Sequence, residues 1–138
     1  ISPQNLITPG NFKGVTFIDP IKAADETVRT LRQRERCTLV IAMTHLGYFP
    51  NDREGEIGDS QVASRVNGID FIAGGHTHTF MQSPVVTKTP NGKKTIIFQV
   101  GKSGIYVGRV DLKLRGGRLI AYAGRLLDLR DRSLDHDA

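Results

Sequence analysis

The chain has 138 residues, a formal net charge of +5, 38% apolar residues and 24% charged ones. That is the size of one ordinary domain or part of a larger one, and the composition excludes a disordered chain, a collagen and a disulfide-framework mini-protein. A single cysteine, Cys37, closes no internal disulfide, and no apolar run approaches the roughly 18 residues of a membrane span. The positive charge bears on solubility and on steering towards anions such as phosphates or nucleic acid rather than on fold.

Residues 1 to 14 mix proline, glycine and amide residues with scattered apolar ones and read as irregular chain. Val15 to Ile18 reads as a short strand. Asp19-Pro20 is a helix start, a capping oxygen followed by proline at the first helical position. Ile21, Ala24, Val28 and Leu31 then form one apolar stripe, which predicts a helix over about 20 to 35. Arg34 and Arg36 fall in its last turn, where cations suit the helix dipole.

Thr38 to Thr44 is a short, nearly continuous apolar run, as in a parallel strand buried on both faces. Residues 47 to 58 read as a loop, and Asp59 as the cap of a short helix ending near Val66. Asn67-Gly68 ends that helix, and Ile69 to Ala73 is a second buried strand, so the three elements form a βαβ unit. Beyond Phe80 the pattern changes to strands at Pro84 to Thr87, Lys94 to Val100, Ile105 to Arg115 and Arg118 to Leu127. Turns at Pro90-Asn91-Gly92 and Gly116-Gly117 separate them, which predicts an antiparallel meander. Residues 129 to 138 mix both charges and read as a tail or linker.

Three histidines fall where α/β sheets place their chemistry. His45 follows the first buried strand, and His76 and His78 follow the second behind Gly74-Gly75. Ligands of open α/β sheets bind outside the carboxyl ends of the strands, so parallel neighbours would bring the three imidazoles to one edge. In extended chain, a His-x-His pair also puts both rings on one side. Imidazole suits zinc, iron, nickel and copper. The plainer reading of one such histidine is an ordinary loop residue; three at two strand ends put a metal role on an equal footing with it.

These residues also carry a family resemblance. Thr44-His45-Leu46-Gly47, followed by Gly68-Ile69-Asp70-Phe71-Ile72-Ala73-Gly74-Gly75-His76-Thr77-His78, resembles the calcineurin-like metallophosphoesterases. Within them it is similar to the 5′-nucleotidase and UDP-sugar hydrolase family, as are Thr16 to Pro20 and Gln99 to Asp111. The resemblance implies an α/β fold: half of a four-layer α/β/β/α sandwich, with a βαβ unit followed by the antiparallel strands. It implies two divalent metal ions (zinc, manganese, magnesium, calcium or similar), with His45 and His76 on one and His78 on the other. The implied reaction is metal-dependent hydrolysis of a nucleotide or nucleotide-sugar phosphoester, in a periplasmic, secreted or cell-surface location.

The family's Asp-x-His and Asn-His motifs have no match in this chain. Its Gly58-Asp59 lies between the histidine motifs rather than before them, and Asp59 reads as the helix cap. The expectation is therefore a chain whose residues 1 to 128 are the C-terminal part of a catalytic domain, with no complete set of catalytic residues. Such a chain would pair with the missing N-terminal half, associate with itself or aggregate, because half a sandwich exposes an apolar face. The alternative is a binding or assembly module that keeps the fold without turnover.

Other signals point to less. Gly101-Lys102-Ser103 lacks the earlier glycine and the following helix of a phosphate loop. Arg29, Arg32, Arg34 and Arg36 read as a solvated helix face with Glu and Asp partners, and without interleaved aromatics nucleic-acid binding is not expected. Cys37 reads as a small core residue, Asp70 as a cap or turn residue and His136 as exposed in the tail. Asp52, Glu54 and Glu56 are loop carboxylates, ordinarily solvated, within reach of His45 in sequence.

Overall fold

A computed structural model describes residues 8–49 and 57–130. Asp52, Glu54, Glu56 and His136 lie outside the described residues, as does most of the predicted tail.

Helix α1 (Pro20–Gln33) starts where the sequence places it. The Asp19 carboxylate accepts hydrogen bonds from the Ile21 and Lys22 backbone N–H groups at 2.7 and 3.0 Å. Its stripe of Ile21, Ala24, Val28 and Leu31 packs on the core. No strand forms at Val15 to Ile18, whose Val15 and Ile18 are exposed.

Four strands form one sheet: β1 (Ile41–Met43), β2 (Phe71–Ala73), β3 (Val85–Lys88) and β4 (Lys94–Phe98), in the order β1-β2-β4-β3. β1 pairs parallel to β2 and β2 parallel to β4, while β3 closes the other edge antiparallel to β4. Helix α2 (Asp59–Arg65) joins β1 to β2, completing the expected βαβ unit. The core lies where the helices meet the sheet and includes Val28, Val40, Val62, Val66, Ile72, Ile97 and Phe98.

Two further expectations about strands need correction. β1 is not buried on both faces: as the edge strand it leaves Ile41 and Met43 exposed and only Ala42 partly covered. It is also short. Before Ile41 the Asp70 carboxylate accepts from Val40 N–H at 2.8 Å, while Val40 C=O accepts from the Asp70 and Phe71 N–H groups at 3.0 and 3.4 Å. Burial on both faces belongs instead to β4, whose Thr95 to Phe98 are all buried. The predicted antiparallel pairs are present but divided between sheets. β5 (Tyr106–Arg115) and β6 (Arg118–Asp128) form a separate two-stranded ribbon, and β4 is inserted beside β2. The apolar side chains at β4 explain that choice, since a strand without a polar face fits the sheet interior.

Arg32 is not on a solvated helix face. It turns inward, donates to the backbone carbonyls of Gly68 and Cys37 and forms an ion pair with Asp70. Asp70 is therefore part of a clamp between α1, β1 and β2. Cys37 is half-buried against the core, as expected.

Candidate functional site

β1, β2 and β4 run parallel, so their carboxyl ends share one edge of the sheet. His45, the segment Gly74 to His78, and Gln99 all lie just past those ends. The backbone ties the first two together: Thr44 N–H donates to Ala73 C=O at 3.0 Å and Gly47 N–H to Gly75 C=O at 2.9 Å.

The imidazoles of His45 and His76 stand edge to face with ring centroids 5.1 Å apart. Two imidazoles that each give a nitrogen to one divalent ion at about 2.0–2.1 Å have centroids roughly 5 Å apart, so the pair has a ligand-like spacing. His45 and His78 are exposed and His76 is half-buried. Loss of hydration holds the His76 imidazole below its ordinary pKa of 6.5, and the neighbouring His45 and His78 push it the same way. A neutral ring at neutral pH keeps a lone pair for a cation. Among the described residues, no group of three or more His, Cys, Asp or Glu side chains converges on one point. The spacing thus fits two nitrogen donors to one ion and leaves its remaining ligands to other groups.

The route to this arrangement differs from the sequence argument. His76 and His78 are not extended; both have positive φ, 91° and 54°. Strand alternation therefore does not set their direction. A bent backbone does, and non-glycine residues held at positive φ collect at functional sites. The Gly-Gly lead-in acts as expected, by allowing close approach. A Cβ on Gly74 would overlap the Asp59 carboxylate, and one on Gly75 would sit 3.2 Å from His45 Nδ1.

Asp59 is the residue that the sequence misassigned. Gly58 takes the capping position and Gln61 Oε1 accepts from its N–H at 3.1 Å. Asp59 is instead fully buried behind the histidine loops. Its carboxylate accepts from Thr44 Oγ1 at 2.5 Å and from Gln99 Nε2 at 2.7 Å. Burial raises its pKa above 3.8, while the Thr44 and Gln99 hydrogen bonds and the nearby His45 pull it back. Those partners are 15 and 40 positions away, so no local pattern announces them.

A cleft of about 860 Å³ opens at the opposite end of the sheet, between Thr38, Asp70 and Lys94 and the ribbon residues Arg118 and Tyr122. It contains none of the histidines. The rejected phosphate loop is a tight turn with positive φ at Gly101, Ser103 and Gly104, and strand β5 follows it rather than a helix.

The chain is similar to known proteins. No protein-family model matches the chain. It is 36% identical over 105 residues to the trifunctional nucleotide phosphoesterase protein YfkN of Bacillus subtilis, covering 76% of this chain and 6% of that protein. It is 31% identical over 131 residues to a 5′-nucleotidase of Vibrio cholerae, covering 80% of this chain and 23% of that one. The chain belongs to the 5′-nucleotidase family of calcineurin-like metallophosphoesterases. A solved 5′-nucleotidase precursor from Thermus thermophilus superposes with a TM-score of 0.71 at 31% identity, covering 82% of this chain and 23% of that structure. The fold is accordingly a partial metallophosphoesterase fold. This nucleotidase-family chain spans about a quarter or less of the length of these relatives. Among the described residues, no helix is long and apolar enough to cross a membrane.

Proposed function

We propose that this chain supplies His45, His76 and His78 to a two-metal site that hydrolyses nucleotide or nucleotide-sugar phosphoesters. The observation that carries this reading is the His45–His76 pair, 5.1 Å apart at the carboxyl edge of a parallel sheet, in a chain related to nucleotidases. His45 and His76 would hold one divalent ion and His78 would contribute to a second. When bound, two such ions lower the pKa of a water and neutralise charge on the phosphate. The chain's own part is to present imidazoles from two loops whose backbones are bonded to each other. The exposed outer residues of β1, Ile41 and Met43, belong in this reading to the surface that the rest of the domain covers. Residues 1 to 128 would then be the C-terminal part of the catalytic domain and the remainder a linker. A location outside the cytoplasm is part of the same proposal and follows from the relation to the 5′-nucleotidase family.

Calorimetric titration with Zn²⁺ and Mn²⁺ tests the metal reading. The chain should bind, and His45→Ala or His76→Ala should each weaken binding at least about tenfold, as loss of one of two donors requires. Equal affinity in wild type and both variants would sink it. Phosphate release from a nucleoside 5′-monophosphate separates an active site from a module that keeps the fold and binds metal without turnover.

A further inference from the structure

The two loops that carry the histidines are joined through one buried pair of side chains. Asp59 Oδ1 accepts from Thr44, the residue before His45, and Asp59 Oδ2 accepts from Gln99 Nε2. The Gln99 amide also donates to the carbonyl of Gly75, the residue before His76, at 3.4 Å. Its Oε1 accepts at 3.3 Å from Thr77 Oγ1, which lies between His76 and His78. On the backbone, Asp59 N–H donates to Gly47 C=O at 2.8 Å. Asp59 and Gln99 are both almost wholly buried, and no cation side chain pairs with Asp59 among its hydrogen-bond partners. A carboxylate can only accept, and here it is met by two neutral donors from opposite sides.

We infer that Asp59, acting with Gln99, is a positioning residue: it fixes the His45 loop against the His76 loop and so sets the affinity of the pair for a divalent cation. The inference rests on the metal reading proposed above, but the positioning itself can be measured without metal. A network buried at low dielectric is stiff when every member is satisfied and loosens when one is not. Groups behind the ligands of a metal site typically change affinity by about 10–100-fold when altered. Asp59 lies one residue further back, so about tenfold is the expected loss.

The test uses the full chain, with Zn²⁺ as the probe, and four variants. Asp59→Asn puts an amide against the Gln99 amide, and Gln99→Glu puts a carboxylate against Asp59. Each should weaken Zn²⁺ binding about tenfold and reduce the nuclear Overhauser effects between the His45 and His76 ring protons in the metal-free chain. The double variant Asp59→Asn with Gln99→Glu exchanges the two groups. The amide now at position 59 then accepts from Thr44 and donates to the carboxylate at position 99; the long bond to Gly75 C=O is not restored, so both readouts should recover most but not all of what the single variants lose. A merely structural loss would add in the double variant instead of cancelling. Thr44→Val removes one of the two bonds at little change in volume and should lose only a few-fold; it serves if a single variant fails to fold. Single variants with wild-type affinity and wild-type ring contacts overturn the inference, as does a folded double variant no better than the singles. A wild-type chain that takes no Zn²⁺ while its ring contacts fall in the singles and return in the double fails the metal reading and leaves the positioning role standing.

Discussion

The two ends of the parallel sheet are each tied by one aspartate, and the two ties differ in kind. At the amino end, Asp70 caps the Val40 N–H and pairs with Arg32, which also holds the carbonyls of Gly68 and Cys37. Charge is neutralised by charge, with both side chains roughly a quarter exposed. At the carboxyl end, Asp59 is buried and meets only a hydroxyl and an amide. No cation side chain is among its hydrogen-bond partners, and His45 lies nearby. A guanidinium there would satisfy Asp59 better, but it would repel a cation bound by the imidazoles. The amino end joins helix and strands through a neutralised pair, and the carboxyl end joins two loops through a buried carboxylate with neutral partners. The geometry of each end follows from what it must keep in place.

The sharpest way to break the comparison is at a glycine. Gly74 packs so tightly on Asp59 and Gln99 that a Cβ would overlap the Asp59 carboxylate and approach Gln99 Nε2 to 2.8 Å. Gly74→Ala should therefore cost about 3 kcal/mol, the upper range for forcing a methyl into a packed interior. It should also disturb the His45–His76 ring contacts. Gly92, in the turn between β3 and β4, has φ of 78° and open space where its Cβ would go. Gly92→Ala should cost about 1 kcal/mol, from backbone strain alone. Urea unfolding measures both. Equal costs would mean that the carboxyl end is not the tightly packed one.

Next in size is the clamp at the amino end. Arg32→Met keeps the apolar stem but not the guanidinium, leaves Asp70 without its cation and removes the bonds to Gly68 and Cys37. Breaking a fully buried pair costs about 3–5 kcal/mol; discounted for exposure, about 2 kcal/mol is expected here. Zn²⁺ affinity should not change, because nothing in that clamp touches the histidine loops. A variant of normal stability, or one whose Zn²⁺ affinity falls as Asp59→Asn should make it fall, would erase the distinction between the two ends.

That distinction was only half legible in the sequence. Helix α1 was readable because its cap and stripe are local, in Asp19-Pro20 and in apolar residues one turn apart. The histidine edge was readable because parallel strands put their carboxyl ends together, and both histidine motifs directly follow strands. The aspartates were not readable. Asp59 stands at a helix start, where a short carboxylate looks like a cap, yet the cap is Gly58. Arg32 sits among arginines that pattern as a solvated face, yet its partners lie up to 38 positions away. Pairing of β4 with β2 was missed for the same reason, since the intervening strand β3 is nearer in sequence. Local signals set the elements; contacts between distant residues decide which polar groups become the ties.

The smallest expected effect is a slope rather than an offset, and it isolates the Asp59 end. Burial holds the Asp59 carboxyl above its ordinary 3.8 in the folded chain. Between 3.8 and that raised value the folded chain still binds a proton that the unfolded chain has released. Folding stability from this group therefore falls as pH rises through that window and is flat above it. Asp59→Asn has no such proton to release. The stability of wild type minus that of Asp59→Asn should then be greatest at about pH 4 and decline towards neutrality. Urea unfolding of both proteins across that range gives the difference directly, and taking the difference cancels every other carboxylate whose surroundings are unchanged. A difference that rises with pH would mean that hydrogen bonds from Thr44 and Gln99 outweigh burial, making Asp59 a stabilised anion. The two ends of the sheet would then use one device, a satisfied carboxylate, and the contrast between them would reduce to the identity of the donor.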